Sequence, residues 1–106
     1  LEFLTQGMPT EKKLSVDLRQ NIYFIFKEAV NNIVKYSEAT SVSIKLVNNE
    51  NEFIMTIEDN GKGLEGKIRG TGHGLRNMRM RAERIRGTIE IRSEHGTKVL
   101  LKTSAL

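Results

Sequence analysis

Asp59 and the glycines that follow it form the most unusual stretch of the sequence. Residues 59–75 read DNGKGLEGKIRGTGHGL and contain six of the chain's nine glycines. Glycine loses more backbone freedom on folding than other residues, so this stretch is favoured only where backbone bends sharply or approaches a ligand closely. Asp59 follows an apolar alternating segment, where a fixed carboxylate can accept a hydrogen bond from a ligand amine. Gly61 and Gly63 then let the backbone pass close to that ligand.

The end of the same stretch predicts a helix N-terminus that binds an anion. Gly72, His73 and Gly74 open the second predicted helix with backbone N–H groups that have no partner within the helix. Arg76 lies in the first turn, where a cation is disfavoured by the helix dipole. A bound anion would remove that conflict, whereas the ordinary alternative is that Arg76 reaches solvent or a nearby glutamate.

A polar stripe on the first predicted helix indicates a cation site. At 100° per residue, Glu28, Asn32 and Lys35 fall on one side of the helix at the margin of its apolar face, while Asn31 points away from the core. A neutral amide oxygen and a nearby carboxylate suit Mg²⁺, which also binds water and substrate phosphates. Lys35 can meet a phosphate as a point charge. The alternative is a solvated helix flank.

Three other interpretations of the glycine stretch fit less well. GKGLEG (61–66) matches the G-x-G-x-x-G pattern of dinucleotide-binding turns, but that motif requires a helix to begin within it, and no helix can start before about Gly74. A glycine- and arginine-rich nucleic-acid tail would carry more stacking aromatic residues. Asn60-Gly61 is a strong hairpin signal, but no strand follows it.

The remaining sequence predicts the elements that position these residues. Apolar spacing predicts a helix over about 17–37, capped by Asp17 or Ser15, and a second helix that begins near Gly74 and ends at Gly87. Alternation predicts two hairpins. In the first, one strand lies on each side of the NNENE loop (48–52), and the second is formed by 88–92 and 97–103. Glu2 to Gln6 is expected to add an edge strand. The predicted fold is a two-layer α/β sandwich with a mixed, largely antiparallel sheet covered on one face by helices.

Composition limits the possible functions without selecting one. The 106 residues fit one domain, and the sequence contains no apolar run of membrane-spanning length and no signal-peptide pattern. The absence of cysteine excludes disulfides and cysteine-based metal sites. Residues 1–60 carry six Lys/Arg and nine Asp/Glu, whereas 61–106 carry eleven and four. The basic half indicates an anionic partner or, equally, a solvated basic face.

Taken together, four blocks resemble the ATP-binding catalytic domain of sensor histidine kinases. They are EAVNNIVKYS, IEDNGKG, GTGHGLRNMRMRAERIRG and HGTKVLL, in this order over roughly residues 18–103. The domain belongs to the gyrase–Hsp90–histidine kinase–MutL ATPase superfamily, and the third block is most similar to the nitrate-sensor and lipid-desaturase-sensor kinases. The resemblance implies the Bergerat-type ATP-binding fold. It also implies that 1–106 is a single ATP-binding domain, expected to be a C-terminal fragment of a longer kinase.

The resemblance also implies a role for each matching residue. Asn32 matches the asparagine that coordinates Mg²⁺, and Glu28 matches the acidic residue one turn earlier, a candidate catalytic group. Asp59 matches the aspartate that binds the adenine amino group, and Thr97 a threonine that supports the adenine pocket. The further residues expected at ATP are Lys35, Tyr36, Gly61, Gly63, Gly72, His73, Gly74, Leu75 and Arg76, with residues 64–73 as a lid.

The implied activity is transfer of the γ-phosphoryl group of ATP to a histidine on a separate dimerisation domain. Neither His73 nor His95 resembles that acceptor, so we expect the phosphoacceptor domain outside this chain, a response regulator that acts through it, and no direct nucleic-acid partner. The full-length protein is expected to be a membrane-anchored homodimer, with this domain in the cytoplasm beneath an inner membrane. Two alternatives stay open: an anti-sigma-type serine kinase, and a non-catalytic module that binds nucleic acid or another anion.

Overall fold

The computed structural model describes residues 2–7, 15–33, 40–61, 73–93 and 96–104. Within these ranges the chain forms one five-stranded sheet and two helices, in the strand order β1-β2-β3-β5-β4. The bounds are β1 Glu2–Gln6, α1 Val16–Asn32, β2 Val42–Asn48, β3 Glu52–Asp59, α2 His73–Arg84, β4 Thr88–Ser93 and β5 Thr97–Ser104. β1 is parallel to β2, and every other pair is antiparallel. This arrangement confirms the predicted α/β sandwich, including the edge strand and both hairpins.

Helix α1 begins at a side-chain cap. The Ser15 hydroxyl accepts a hydrogen bond from the Leu18 N–H at 3.1 Å, which selects Ser15 over Asp17 as the N-cap. Asp17 instead accepts from the Asn21 amide through its carbonyl oxygen at 2.8 Å. The helix continues to Asn32, with Ile33 as its C-cap. The remainder of its predicted length, 34–37, lies outside the described residues.

Both helices pack on the same face of the sheet. Inward residues alternate along β3 and β5, and residues from α1 and α2 meet them in one cluster, as a two-layer fold requires. The buried apolar residues of this core are Ile25, Ala29, Ile33, Ile44, Phe53, Met55, Ile57, Met78, Ala82, Val99 and Leu101. The Arg81 guanidinium lies 4.3 Å from the centroid of the Phe24 ring, so a cation–π contact joins α2 to α1.

The pairing fixes the direction in which α1 runs. Val42 of β2 is opposite Asp59 of β3. We call the end of the sheet at Asp59 the site end, and the opposite end, where residues 49–51 turn from β2 to β3, the hairpin end. Because β1 is parallel to β2, β1 finishes at the hairpin end and β2 begins at the site end. Helix α1 connects them and must run back along the sheet, which brings Asn32 to the site end.

Helix α2 runs in the opposite direction. It follows β3, which finishes at the site end, and it precedes β4, whose first residue Thr88 is opposite Lys102 near the hairpin end. The helix therefore begins at the site end with His73 and finishes at the hairpin end. The C-terminus of α1 and the N-terminus of α2 lie at the same end of the sheet.

The C-terminal cap of α2 differs from its prediction in the residue that takes the left-handed conformation. Gly87 was expected to end the helix, and its N–H does close the last turn on the Ala82 carbonyl at 2.8 Å. The left-handed residue of this Schellman-type cap is Arg86, with φ of 57°. Gly87 is needed for a different reason, because a Cβ there would lie 2.7 Å from the Lys102 carbonyl oxygen.

Candidate functional site

Asp59 is a buried carboxylate at the last position of β3. The residue is 6% exposed, and its Oδ1 accepts a hydrogen bond from the Gly61 N–H at 2.7 Å. This bond closes a turn immediately after the strand, and it fixes the orientation of the carboxylate. Sequence reasoning placed Asp59 and Gly61 beside each other at a strand end, and the structure has them there. A buried, oriented carboxylate can accept a hydrogen bond from a ligand amine.

The start of β5 packs directly against Asp59. A Cβ on Gly96 would lie 2.1 Å from the Asp59 carbonyl oxygen, so only glycine allows this approach, and its φ of +115° is also a glycine conformation. The next residue, Thr97, is 1% exposed, and its hydroxyl has no hydrogen-bond partner among the described residues. A buried hydroxyl without a partner is unfavourable in the isolated chain and is available to a ligand. Asp59 and Thr97, far apart in sequence, therefore meet at the site end.

The C-terminal turn of α1 supplies Asn32. It is 9% exposed, whereas the neighbouring Asn31 is exposed, as the helical angles predicted. Glu28, one turn earlier on the same side, is half-buried. The stripe is thus not a solvated flank at Asn32. The Asn32 Nδ2 is buried without a hydrogen-bond partner among the described residues, so this side chain is not engaged in a structural network there.

The residues near Asn32 fit a cation that is held mainly by substrate. The oxygen and nitrogen of an amide are interchangeable by rotation of the group, so an uncommitted Asn32 amide can present its oxygen to a metal. No group of three or more His, Asp or Glu within the described ranges could hold a metal ion by itself. Mg²⁺ commonly binds through one or two protein oxygens, with phosphates and water completing its shell, and one amide near one carboxylate suits that mode.

Helix α2 brings its N-terminus to the same end. His73 and Gly74 form its first positions, Leu75 is half-buried, and Arg76 is exposed. The first turn contains no acidic residue. The positive end of the helix dipole and the Arg76 cation therefore both favour an anion at this end of α2.

Four of the predicted site residues lie outside the described residues: Lys35, Tyr36, Gly63 and Gly72. The same holds for residues 64–72 of the predicted lid. Two residues that hold the site together were not identified as such from the sequence. The sequence places Gly96 only before the last predicted strand, within HGTKVLL, and Asn60 only within IEDNGKG, where its hairpin signal has no following strand. The signal for Asn60 was its place between Asp59 and Gly61; no local signal distinguished Gly96.

Neither described helix combines the length and the apolar character that crossing a bilayer requires.

Comparison with known sequences gives the family. The model of the family described as "Histidine kinase-, DNA gyrase B-, and HSP90-like ATPase" matches residues 17–105. The chain is 35% identical over 89 residues to the signal transduction histidine-protein kinase/phosphatase UhpB of Salmonella typhimurium. The matched stretch covers 84% of this chain and 18% of that protein. The chain is also 35% identical over 96 residues to the sensor protein VraS of Staphylococcus saprophyticus, covering 87% and 27%. The chain therefore spans only a minor part of either relative.

Solved structures share the fold. The Acinetobacter baumannii histidine kinase AdeS superposes with a TM-score of 0.77 at 23% identity, covering 98% of this chain and 53% of that one. The ATP-binding domain of PrrB from Mycobacterium tuberculosis superposes with a TM-score of 0.73 at 21% identity, covering all of this chain and 81% of that one. At such identities the superpositions establish the architecture alone, and they agree with the predicted sandwich.

Proposed function

The chain belongs to the histidine kinase-, DNA gyrase B- and HSP90-like ATPases, and we propose that it binds ATP with Mg²⁺ and donates the γ-phosphoryl group to a histidine of another domain. The observation that carries the proposal is the convergence at the site end. A buried carboxylate, an uncommitted buried hydroxyl, an uncommitted buried amide and a helix N-terminus meet there. These four groups match the amine, the metal and the phosphates of one ligand.

Each group has a defined part in the proposal. Asp59 accepts a hydrogen bond from the adenine amino group, and Thr97 donates one at the same end of the ligand. The Asn32 oxygen binds Mg²⁺, with Glu28 one turn away. The first amides of α2, together with Arg76, bind the phosphates. We propose the remaining predicted residues, Lys35, Tyr36, Gly63 and Gly72, as further contacts to ATP.

The chemistry proposed for this site depends on positioning and charge neutralisation. An imidazole nitrogen of the acceptor forms a bond to the γ-phosphorus while the bond from that phosphorus to its bridging oxygen breaks, and ADP leaves. Mg²⁺ neutralises charge on the phosphates when bound. Glu28 is proposed to orient the acceptor or to take its proton.

The acceptor and its setting are also proposals. The relatives are much longer than this chain, which supports its role as one ATP-binding domain of a larger kinase. We propose that the phosphoacceptor histidine lies on a dimerisation domain of the same protein and that a response regulator then receives the phosphoryl group. A cytoplasmic placement beneath a membrane-anchored sensor is proposed for the same domain.

Titration with Mg·ATP tests the adenine end. Asp59→Ala is expected to weaken ATP binding by roughly 10- to 100-fold, the usual value of a hydrogen bond to a charged group. Glu58→Ala is the matched control, because Glu58 is the preceding residue of β3 and is exposed. Thermal unfolding of both variants shows that folded protein is compared.

The metal end needs a separate titration with and without Mg²⁺. Asn32→Ala is expected to abolish most of the Mg²⁺-dependent gain in affinity, whereas Asn31→Ala, on the exposed side of the same turn, leaves it intact. Unchanged ATP affinity in both Asp59→Ala and Asn32→Ala would overturn the site.

A further inference from the structure

We propose that Asn60 is a positioning residue, which holds Asp59 in place and thereby sets the preference of the site for a purine with an exocyclic amino group. The inference rests on the proposed function, since it assigns the selectivity of the same site. Asn60 lies between Asp59 and Gly61, and its side chain is exposed. It acts on the ligand only through Asp59.

The Asn60 side chain makes three hydrogen bonds to the segment that enters β2. Its Oδ1 accepts from the Thr40 N–H at 3.1 Å and from the Ser41 N–H at 2.9 Å. Its Nδ2 donates to the Thr40 hydroxyl at 2.9 Å. The Asn60 backbone N–H also donates to the Ser41 carbonyl at 3.3 Å. We call these four bonds the Asn60 clamp.

The clamp extends the β2–β3 pairing beyond its last residue pair. The ladder ends where Val42 is opposite Asp59, and the clamp continues one step further. On the other side, the Gly96 backbone packs against the carbonyl of Asp59, with its Cβ position 3.5 Å from the Asn60 Cα. Asp59 is therefore the last residue of β3, and three features hold it: the pairing of β3 with β2, the Gly96 backbone at the start of β5, and the Asn60 clamp. Removal of the three side-chain bonds of the clamp leaves the turn that orients the carboxylate held to the β2 side by one backbone bond only.

The position of the Asp59 carboxylate is expected to affect the selectivity between purine nucleotides more than the total affinity for them. A site that hydrogen-bonds a substrate amine rejects an analogue that lacks it, because the buried polar group then has no partner. Inosine triphosphate has a carbonyl oxygen where ATP has the amino group, so it faces the Asp59 carboxylate with a second acceptor. This discrimination depends on a carboxylate that is held in place, because even a small displacement of a positioned group weakens the interaction that it makes with its partner. The ATP-to-ITP affinity ratio therefore reports the position of Asp59.

Asn49 provides a matched control at the hairpin end. Its Oδ1 accepts from the N–H groups of Asn51 at 2.8 Å and Glu52 at 2.9 Å, and its own N–H donates to the Glu52 carbonyl at 3.0 Å. It thus performs the same backbone-binding task at the other end of the same strand pair. Loss of either side chain removes bonds of the same kind, but only one of the two residues adjoins Asp59.

The experiment measures ATP and ITP dissociation constants for the 106-residue chain and its variants, together with thermal unfolding. Wild type is expected to prefer ATP by roughly 10- to 100-fold. Asn60→Ala is expected to reduce that ratio about five- to tenfold, and Thr40→Val, which removes one bond of the clamp, about twofold. Asn60→Asp keeps both acceptor bonds but loses the donor bond to the Thr40 hydroxyl, so the ratio is expected to fall about twofold, as in Thr40→Val. Its negative charge lowers the affinity for both triphosphates alike. Asn49→Ala changes the ratio by less than about twofold.

The outcomes separate this inference from the proposed function. A wild-type chain that binds neither nucleotide overturns both. A wild type that prefers ATP, with an Asn60→Ala variant that keeps the full ratio, overturns only the positioning role. If Asn60→Ala does not fold, Thr40→Val decides, and an unchanged ratio in that variant contradicts the clamp. A parallel loss of affinity for ATP and ITP in Asn60→Ala also contradicts it, because that is the result of a purely structural role.

Discussion

The two ends of the sheet use their buried polar residues differently. At the hairpin end, the hydroxyl of Thr103 donates to the Ile85 carbonyl at 3.1 Å, which satisfies a helix C-terminal acceptor. At the site end of the same strand, the hydroxyl of Thr97 has no such partner among the described residues. Both side chains are buried and on the same face of β5. Along this strand, the buried hydroxyl at the hairpin end completes a hydrogen bond within the protein, whereas the one at the site end is left for a ligand to complete.

Asn21 shows that a single unpartnered atom is not enough to identify a site. It lies near the hairpin end, 1% exposed, and its Oδ1 has no hydrogen-bond partner among the described residues. Its Nδ2, however, is committed to the Asp17 carbonyl. What distinguishes the site end is that an uncommitted amide and hydroxyl accompany a buried carboxylate and a helix N-terminus.

The largest expected effects come from two glycines, one at each end. In Gly96→Ala the new Cβ would lie 2.1 Å from the Asp59 carbonyl oxygen, at a φ of +115°. We expect the free energy of unfolding to fall by about 3 kcal/mol, and the folded fraction to lose ATP binding. Gly7→Ala places its Cβ 2.0 Å from the Asn48 carbonyl oxygen, at a φ of +71°. It is expected to destabilise the chain by about 1–3 kcal/mol and to leave the ATP dissociation constant unchanged.

Urea unfolding and ATP titration of the two glycine variants check this pair. A Gly96→Ala variant that binds ATP like wild type would mean that the start of β5 does not position Asp59. Lost ATP binding in folded Gly7→Ala would remove the distinction between the two ends.

The second prediction exchanges each threonine of β5 for valine. Thr97→Val removes a buried hydroxyl without a described partner, so we expect unfolding free energy to stay equal or to rise by about 1 kcal/mol, while ATP affinity falls about tenfold. Thr103→Val leaves the Ile85 carbonyl without its donor, and is expected to lower stability by about 1 kcal/mol with ATP affinity unchanged. Stability and affinity should thus change independently along one strand. Equal effects of the two variants on both quantities would contradict the comparison.

Because α1 and α2 both run between the hairpin end and the site end, a change at their contact should affect the free energy of unfolding and the ATP affinity together. Phe24→Leu and Arg81→Met remove the two partners of the cation–π contact, and we expect a coupling energy of about 0.5–1 kcal/mol in a double-mutant cycle. Looser packing of α2 on α1 is expected to raise the ATP dissociation constant about twofold. Arg79→Met, on the exposed side of α2, is the control. Additive single effects would show that the contact contributes nothing to the packing.

The sequence predicted the elements because their signals are local. Helical angles alone separated buried Asn32 from exposed Asn31, and alternation located both hairpins. Strand order and the parallel pairing of β1 did not follow, since they depend on contacts between distant segments. Gly96 was missed for the same reason: its partner is the backbone of Asp59, and nothing near Gly96 in the chain indicates that approach. The Asn60 clamp likewise depends on Thr40 and Ser41 arriving beside the turn.

Arg86 carries the smallest predicted effect and is the clearest departure from local preference. It has φ of 57° at the C-terminus of α2, where glycine is favoured, and a non-glycine residue there costs about 1 kcal/mol. Its N–H nevertheless bonds to the Glu83 carbonyl at 3.0 Å, so the cap geometry is complete. Arg86→Gly should therefore raise the free energy of unfolding by about 0.5–1 kcal/mol, while Arg84→Gly, at the last residue of the helix, should lower it by up to a similar amount.

Because Arg86 lies at the hairpin end, both arginine variants should leave the ATP dissociation constant unchanged, measured by the same titration. A stabilised Arg86→Gly variant with normal ATP binding would show that stability at the hairpin end can be increased without altering the ligand end. A destabilised one would mean that the arginine side chain offsets the strain of its backbone through a contact that glycine cannot make, and a change in ATP affinity would show that the two ends are coupled through α2.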